Sequence, residues 1–150
     1  MVESKFKRNI AELEFAKLFQ NKRFSSKKED IEEHFDLEIK TKVDVKGLKK
    51  INRHDQQVNE CYHYVEIKNV HGKVGWLYGN ADYFAFELEE YWIIVEKQEL
   101  QNFIKRKVIK EFTKTKTLYK LYNRKNRKDV ITLVKSIDLI YISKKLIKKK

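Results

Sequence analysis

Residues 36–45 read DLEIKTKVDV, and this stretch sets the expected fold. Apolar or β-branched side chains alternate with charged ones from residue 37 to residue 45. A period of two is that of a strand with one buried face. Gly47 follows and is expected to end the strand. We therefore predict a half-buried strand here, with Asp44 near its end.

Two helices are expected before this strand. At about 100° per residue, Ala11, Phe15 and Leu18 share one broad apolar face, which predicts an amphipathic helix over residues 8–20. Ser26 followed by Glu29 forms a capping box. A second, short helix is therefore expected over about 27–35.

Strands and a further helix are expected after it. Runs rich in aromatic and β-branched residues predict strands, whereas apolar residues at helical spacing predict a helix. The predicted strands are 61–70, 81–88, 90–97 and a final hairpin of 117–124 with 129–136; the predicted helix is 98–112; residues 137–147 fit either. This order predicts one α/β domain over residues 1–150, with a mixed central β-sheet flanked by helices.

Positive charge is concentrated in the last third of the chain. The net charge is +12, and residues 105–150 contain 17 Lys or Arg against three acidic residues. A basic segment joined to a nearly neutral body is typical of proteins that contact a phosphate backbone, although a solubilising tail has the same composition. Arg124, Lys125, Arg127 and Lys128 lie in a predicted turn and are the candidate phosphate contacts.

Cellular location is predicted from what the sequence contains. No apolar run approaches the roughly 18 residues that span a bilayer, and no stretch of signal-peptide type is present. The single cysteine, Cys61, has no partner for an internal disulfide. We therefore expect a cytoplasmic protein without a membrane partner.

Glu66 and Lys68 are candidates for chemistry. They are two residues apart on a predicted strand, which would direct both side chains to the same face. Hydrolysis of a phosphodiester needs an activated water and neutralisation of charge on phosphate oxygens, and a divalent cation held by carboxylates supplies both. The alternative is that Glu66 and Lys68 form only the solvent face of an edge strand.

The order of these features resembles the PD-(D/E)XK nuclease superfamily, which includes restriction endonucleases and archaeal Holliday-junction resolvases. The features are a helix with a glutamate, a strand ending in Asp44, and a strand carrying Glu66-Ile67-Lys68, within residues 8–110. Val43 stands where the family name has proline. The resemblance implies a restriction-endonuclease-like fold of a small phage-type member.

That resemblance also implies roles for individual residues. Asp44 and Glu66 would bind Mg²⁺ or Mn²⁺, Lys68 would be catalytic, and a helix carboxylate would be added. Glu12 is favoured over Glu14 because it falls inside the apolar face, where a carboxylate is costly unless it is paired or coordinating. The implied function is metal-dependent endonuclease activity, with DNA the favoured substrate.

Two other functions are compatible with the same sequence. The chain could be a non-catalytic nucleic-acid-binding protein, which would bind in a salt-dependent manner that is indifferent to EDTA. It could also be a viral factor that binds an acidic protein. A junction-cutting or palindrome-cutting enzyme would be a symmetric homodimer.

Overall fold

The strands of the protein form two separate sheets. The computed structural model describes residues 8–52 and 54–150. Within these residues the strands are β1 (Arg23–Phe24), β2 (Leu37–Glu38), β3 (Lys42–Lys46), β4 (Tyr62–Lys68), β5 (Tyr83–Glu87), β6 (Tyr91–Glu96), β7 (Val130–Lys135) and β8 (Lys145–Lys148). The larger sheet has the order β1-β2-β3-β5-β6-β8, and β4 pairs with β7 in a two-stranded sheet.

The larger sheet is mixed, as expected. Strands β3 and β5 are parallel, whereas its other neighbouring strands are antiparallel. The described residues also contain α1 (Ile10–Ala16), α2 (Lys27–Glu33), α3 (Lys97–Lys107), α4 (Ser136–Ile142) and a 3-10 turn at Trp76–Tyr78. The protein is therefore a mixed α/β structure. Strand β4, which carries Glu66 and Lys68, lies outside the larger sheet.

The opening stretch forms a hairpin, so the prediction of one continuous strand over residues 37–45 is wrong. Strands β2 and β3 pair antiparallel, with Leu37 opposite Val43. Paired residues face the same side of a sheet. The alternation therefore continues unbroken through the turn, and Leu37, Val43 and Val45 all enter the same core.

Both faces of the larger sheet are covered. On one face, α1 packs through Ala11 and Phe15 against a cluster that includes Trp92. On the other face, Phe84 and Phe86 lie in a cluster to which α3, α4 and the two-stranded sheet contribute. Strands β5 and β6 are thus buried on both faces, which explains their nearly continuous apolar sequences.

The last third of the chain differs in part from expectation. The predicted helix at 98–112 forms as α3 and ends earlier, at Lys107. Of the predicted final hairpin, β7 forms, but residues 118–122 make only isolated bridges to it, and β7 pairs with β4 instead. Residues 137–147 contain both candidate structures, since α4 is followed by β8. None of the helices in the described ranges is long and apolar enough to cross a membrane.

Candidate active site

Glu12 is fixed at the beginning of α1. The Asn9 side chain accepts a hydrogen bond of 2.9 Å from the backbone N–H of Glu12, and the Glu12 carboxylate accepts one of 2.9 Å from the backbone N–H of Asn9. This reciprocal capping box holds the Glu12 side chain in place. Glu12 is buried, with 7% of its surface exposed. Glu14, the alternative, is half-buried and lies 4.0 Å from the Lys149 Nζ atom. The buried carboxylate of α1 is therefore Glu12, as the sequence indicated.

Asp36 lies immediately before β2 and beside the middle of β3. Its backbone N–H donates to the Val43 carbonyl at 2.9 Å, and its Oδ2 atom accepts a hydrogen bond of 2.6 Å from the backbone N–H of Val45. Asp36 is 4% exposed. The hairpin thus places a second buried carboxylate beside the residues on either side of Asp44.

Asp44 lies in the middle of β3 and is also 4% exposed. Its Oδ1 atom is 2.8 Å from the Nζ atom of Lys46, which is two residues further along the strand and on the same face. The Oδ2 atom of Asp44 is buried and has no hydrogen-bond partner among the described residues. A buried polar atom without a partner costs about 1–3 kcal/mol, so this oxygen atom is a position where a ligand would add stability.

Three carboxyl groups therefore form one group, here called the carboxylate cluster: Glu12, Asp36 and Asp44. Burial and the neighbouring Asp36 carboxyl group together raise the pKa of Glu12 to about 8. Burial and the same Asp36 carboxyl group, opposed by the positive charge of Lys46, raise the pKa of Asp44 to about 8. At neutral pH the cluster therefore retains protons that a bound cation would displace.

Glu66 and Lys68 make contacts separate from one another. Glu66 accepts a hydrogen bond of 3.3 Å from the backbone N–H of Trp76, and it lines a cavity that Lys46 also lines. Lys68 is exposed and lines a different, larger cavity. Among the described residues, no hydrogen bond or ion pair joins Glu66 or Lys68 to the carboxylate cluster.

A shared face for Glu66 and Lys68 was expected from their spacing, and this expectation is wrong. The pairing of β4 with β7 shifts register between these two residues. Such an irregularity breaks the alternation of side chains, which is why the two residues line different cavities.

The predicted basic turn lies before β7. Arg124 is half-buried and forms an ion pair with Asp129, whose side chain is fully buried. Lys125, Arg127 and Lys128 are exposed. Arg124 is thus held in place by its ion pair, whereas the other three side chains extend into solvent.

Asp36 and Lys46 are the members of the site that the sequence prediction missed. The signal for Lys46 was present, because Asp44-Val45-Lys46 has the same two-residue spacing as Glu66-Ile67-Lys68 and belongs to a regular strand. The position of Asp36 could not be predicted from the pattern, because a continuous strand would put Asp36 far from Asp44. A hairpin places the two residues side by side.

No family model matches the chain, and neither a curated protein nor a solved structure matches it. Within the described ranges, no set of three or more His, Cys, Asp or Glu side chains is already arranged to hold a metal ion. Function is therefore inferred from the pairwise geometry of the carboxylate cluster and Lys46.

Proposed function

We propose that this protein is a metal-dependent phosphodiesterase that cuts nucleic acid, and that its active centre is the carboxylate cluster with Lys46. The observation that carries the proposal is the Asp44 side chain. One of its oxygen atoms contacts Lys46, and the other is buried without a partner among the residues that the structure describes. A lysine beside two buried carboxylates combines cation ligands with a group that stabilises negative charge.

The donor atoms suit Mg²⁺ or Mn²⁺. These ions prefer oxygen ligands, and Mg²⁺ usually takes only one or two carboxylates while it keeps several waters. A site that offers two carboxylates and no third preformed ligand among the described residues is compatible with this coordination preference of Mg²⁺. Asp44 would hold the ion through its unpartnered oxygen atom, together with Asp36. Such an ion, when bound, activates water and neutralises the charge that develops on the phosphate.

The remaining residues have separate roles in this proposal. Lys46 orients the attacking water or stabilises the anionic transition state through its ammonium group. Glu12 holds the Asp36 carboxyl group in position and retains or releases a proton as the cation enters or leaves. Glu66 takes no part in holding the ion here, in contrast to its role in the sequence prediction.

The resemblance to PD-(D/E)XK nucleases supports this proposal when the lysine-containing motif is assigned to β3 and not to β4. Asp44-Val45-Lys46 itself reads D-x-K, and Asp36 precedes it on the same hairpin. Together with Glu12 on the first helix and a mixed sheet covered on both faces, this arrangement favours a restriction-endonuclease-like fold. We include that fold in the proposal.

A nucleic-acid substrate is favoured because the chain has a net charge of +12 and its basic turn extends into solvent. Among nucleic acids, DNA is favoured by the resemblance to PD-(D/E)XK nucleases. The same exposed turn favours a second candidate function, a protein that binds nucleic acid without cutting it. EDTA separates the two functions, because a pure binder should be indifferent to the chelator. A cytoplasmic location and a homodimer remain predictions.

The direct test is incubation of the purified chain with linear, supercoiled and branched DNA in Mg²⁺, in Mn²⁺ and in EDTA. We expect cutting only with a metal, and loss of cutting in Asp44→Asn. Salt-dependent binding without cutting under every metal condition would refute the enzyme and leave the binder.

A further inference from the structure

A cavity of about 240 Å³ is lined by Lys46, whose ammonium group also pairs with Asp44 of the carboxylate cluster. Four cationic side chains line it, and they come from separate parts of the chain: Lys46, Lys49, Lys116 and Arg124. Glu66 is the acidic residue among the described residues that line it. This cavity is here called the cationic cavity. Its charge indicates an anionic ligand.

The Trp76 and Tyr64 rings of the cavity wall already carry cations. The Lys46 Nζ atom lies 4.2 Å from the centroid of the Trp76 ring, and the Lys116 Nζ atom lies 5.4 Å from the centroid of the Tyr64 ring. Lys116 also donates a hydrogen bond of 2.8 Å to the Ile51 carbonyl. These contacts hold the ammonium groups in place before any ligand arrives. Because the fixed ammonium groups of Lys46 and Lys116 lie over two of its rings, the cavity suits a phosphate group.

Lys49 forms no ion pair with an acidic side chain in the described part of the chain. No carboxylate of the described residues lies within ion-pairing distance of its Nζ atom. Partial burial lowers the pKa of Lys49, although its side chain keeps contact with solvent. The charges of Lys46 and Arg124 also lower that pKa, and the weaker effects of Glu66 and Asp44 oppose them. Like charges held close together repel one another, and a bound anion would remove that repulsion.

The size of the cavity limits what can enter. Pockets for drug-sized ligands span roughly 300–1,000 Å³, so a cavity of about 240 Å³ accepts a phosphate group with part of its sugar rather than a duplex segment. A polynucleotide presents such groups at regular intervals along each strand.

We propose that the cationic cavity binds one phosphate group of a polynucleotide strand, held by Lys49, Lys116 and Arg124. Its position next to the phosphate that is cut rests on the proposed function, since Lys46 belongs both to the active centre and to the cavity wall. The strand therefore passes from the carboxylate cluster over Lys46 into the cavity. This second contact would fix the strand's register at the active centre.

The test is binding of a fluorescein-labelled single-stranded DNA oligonucleotide in EDTA, followed by anisotropy over a range of salt concentrations. Lys49→Ala and Lys116→Ala are compared with their exposed neighbours Lys50→Ala and Lys114→Ala, which remove the same charge outside the cavity. We expect each cavity variant to weaken binding about tenfold at low salt and to reduce the slope of log K against log salt by about 0.7. The neighbour variants should change affinity less than about twofold.

A variant that is expected to increase the affinity for the oligonucleotide provides an internal control. Glu66→Gln removes the negative charge from the cavity wall and should tighten binding of the same oligonucleotide. Equal affinities of Lys49→Ala and Lys50→Ala, or weaker binding by Glu66→Gln, would overturn the phosphate site.

The phosphate could belong to an internal phosphodiester or to a terminal phosphomonoester. Oligonucleotides with and without a 5′-phosphate separate these sources, because only a terminal site should prefer the phosphorylated form and lose that preference in Lys49→Ala. Since binding is measured without metal, a failure to cut DNA refutes the proposed enzyme alone. A failure of the cavity variants to differ from their neighbours refutes the cavity alone.

Discussion

The Nζ atom of Lys46 lies 2.8 Å from the Oδ1 atom of Asp44, and both side chains project from the same face of β3. The other carboxylate oxygen of Asp44 is buried and has no hydrogen-bond partner within residues 8–52 and 54–150. The same strand therefore presents a cation ligand and an ammonium group side by side, and the hairpin adds Asp36 from its other arm.

Replacement of Lys46 tests its proposed role in stabilising charge. Lys46→Met keeps the length of the side chain and removes the ammonium group. We expect the cutting rate to fall about 100-fold or more, a loss typical of removing one group that stabilises a transition-state charge. Lys68→Met is the matched control, because Lys68 is exposed and lines a different cavity. Loss of activity in Lys68→Met with normal activity in Lys46→Met would restore the site predicted from the sequence.

Stability of the metal-free protein should fall as pH rises. The pKa of Glu12 and the pKa of Asp44 are each raised to about 8 in the folded state, from about 4 when unfolded. Between these values the folded state binds more protons than the unfolded state, so the free energy of unfolding decreases by up to about 1.4 kcal/mol per pH unit for each proton retained. Urea denaturation in EDTA at pH 5, 6.5 and 8 measures this slope.

Asp44→Asn provides the comparison for that experiment, since its side chain cannot titrate. We expect a shallower dependence on pH in this variant and higher stability than the wild type at pH 8. A wild-type stability that stays flat or increases from pH 5 to pH 8 would contradict the burial of these two carboxyl groups.

Added Mn²⁺ or Mg²⁺ should stabilise the protein and displace protons. A ligand that binds only the folded state adds about 2.7 kcal/mol at 100 times its Kd. Because Asp44 must lose its proton to bind a cation, the increase in Tm should be larger at pH 8 than at pH 6. Calorimetry in buffers of different ionisation enthalpy counts the released protons. Asp44→Asn should abolish both effects, whereas equal metal stabilisation in this variant would place the cation elsewhere.

Glu12 and Glu14 form a matched pair on the same helix. Glu12→Gln keeps an acceptor for the backbone N–H of Asn9, so α1 should still form, but it removes the titratable carboxyl group beside Asp36. We expect slower cutting and a smaller dependence of stability on pH. Glu14→Gln removes only a partly exposed charge 4.0 Å from Lys149, so it should change stability by less than about 1 kcal/mol and leave cutting intact. Identical kinetics of the two variants would remove Glu12 from the site.

Regular elements with strong patterns were predictable because their signals are local. The capping box at Ser26, the apolar runs of β5 and β6, and the helical spacing in α3 each depend on residues close in sequence. The buried position of Glu12 was predictable for the same reason, since the face of a helix follows from its period.

Pairings between distant segments were not predictable in this way. The alternation over residues 37–45 fits a hairpin as well as a strand, so the neighbours of Asp44 remained hidden. The register shift that separates Glu66 from Lys68 arises from pairing with β7, more than sixty residues later in the chain.

The sequence alone determined that the protein is α/β, that its positive charge lies mainly in the last third, and that Glu12 falls on a buried helix face. The tertiary structure decided that Asp44 is buried, that Lys46 pairs with it beside Asp36, and that Glu66 and Lys68 line different cavities. The physical reason is that periodicity fixes the face on which a side chain lies, whereas the pairing of strands fixes which faces meet.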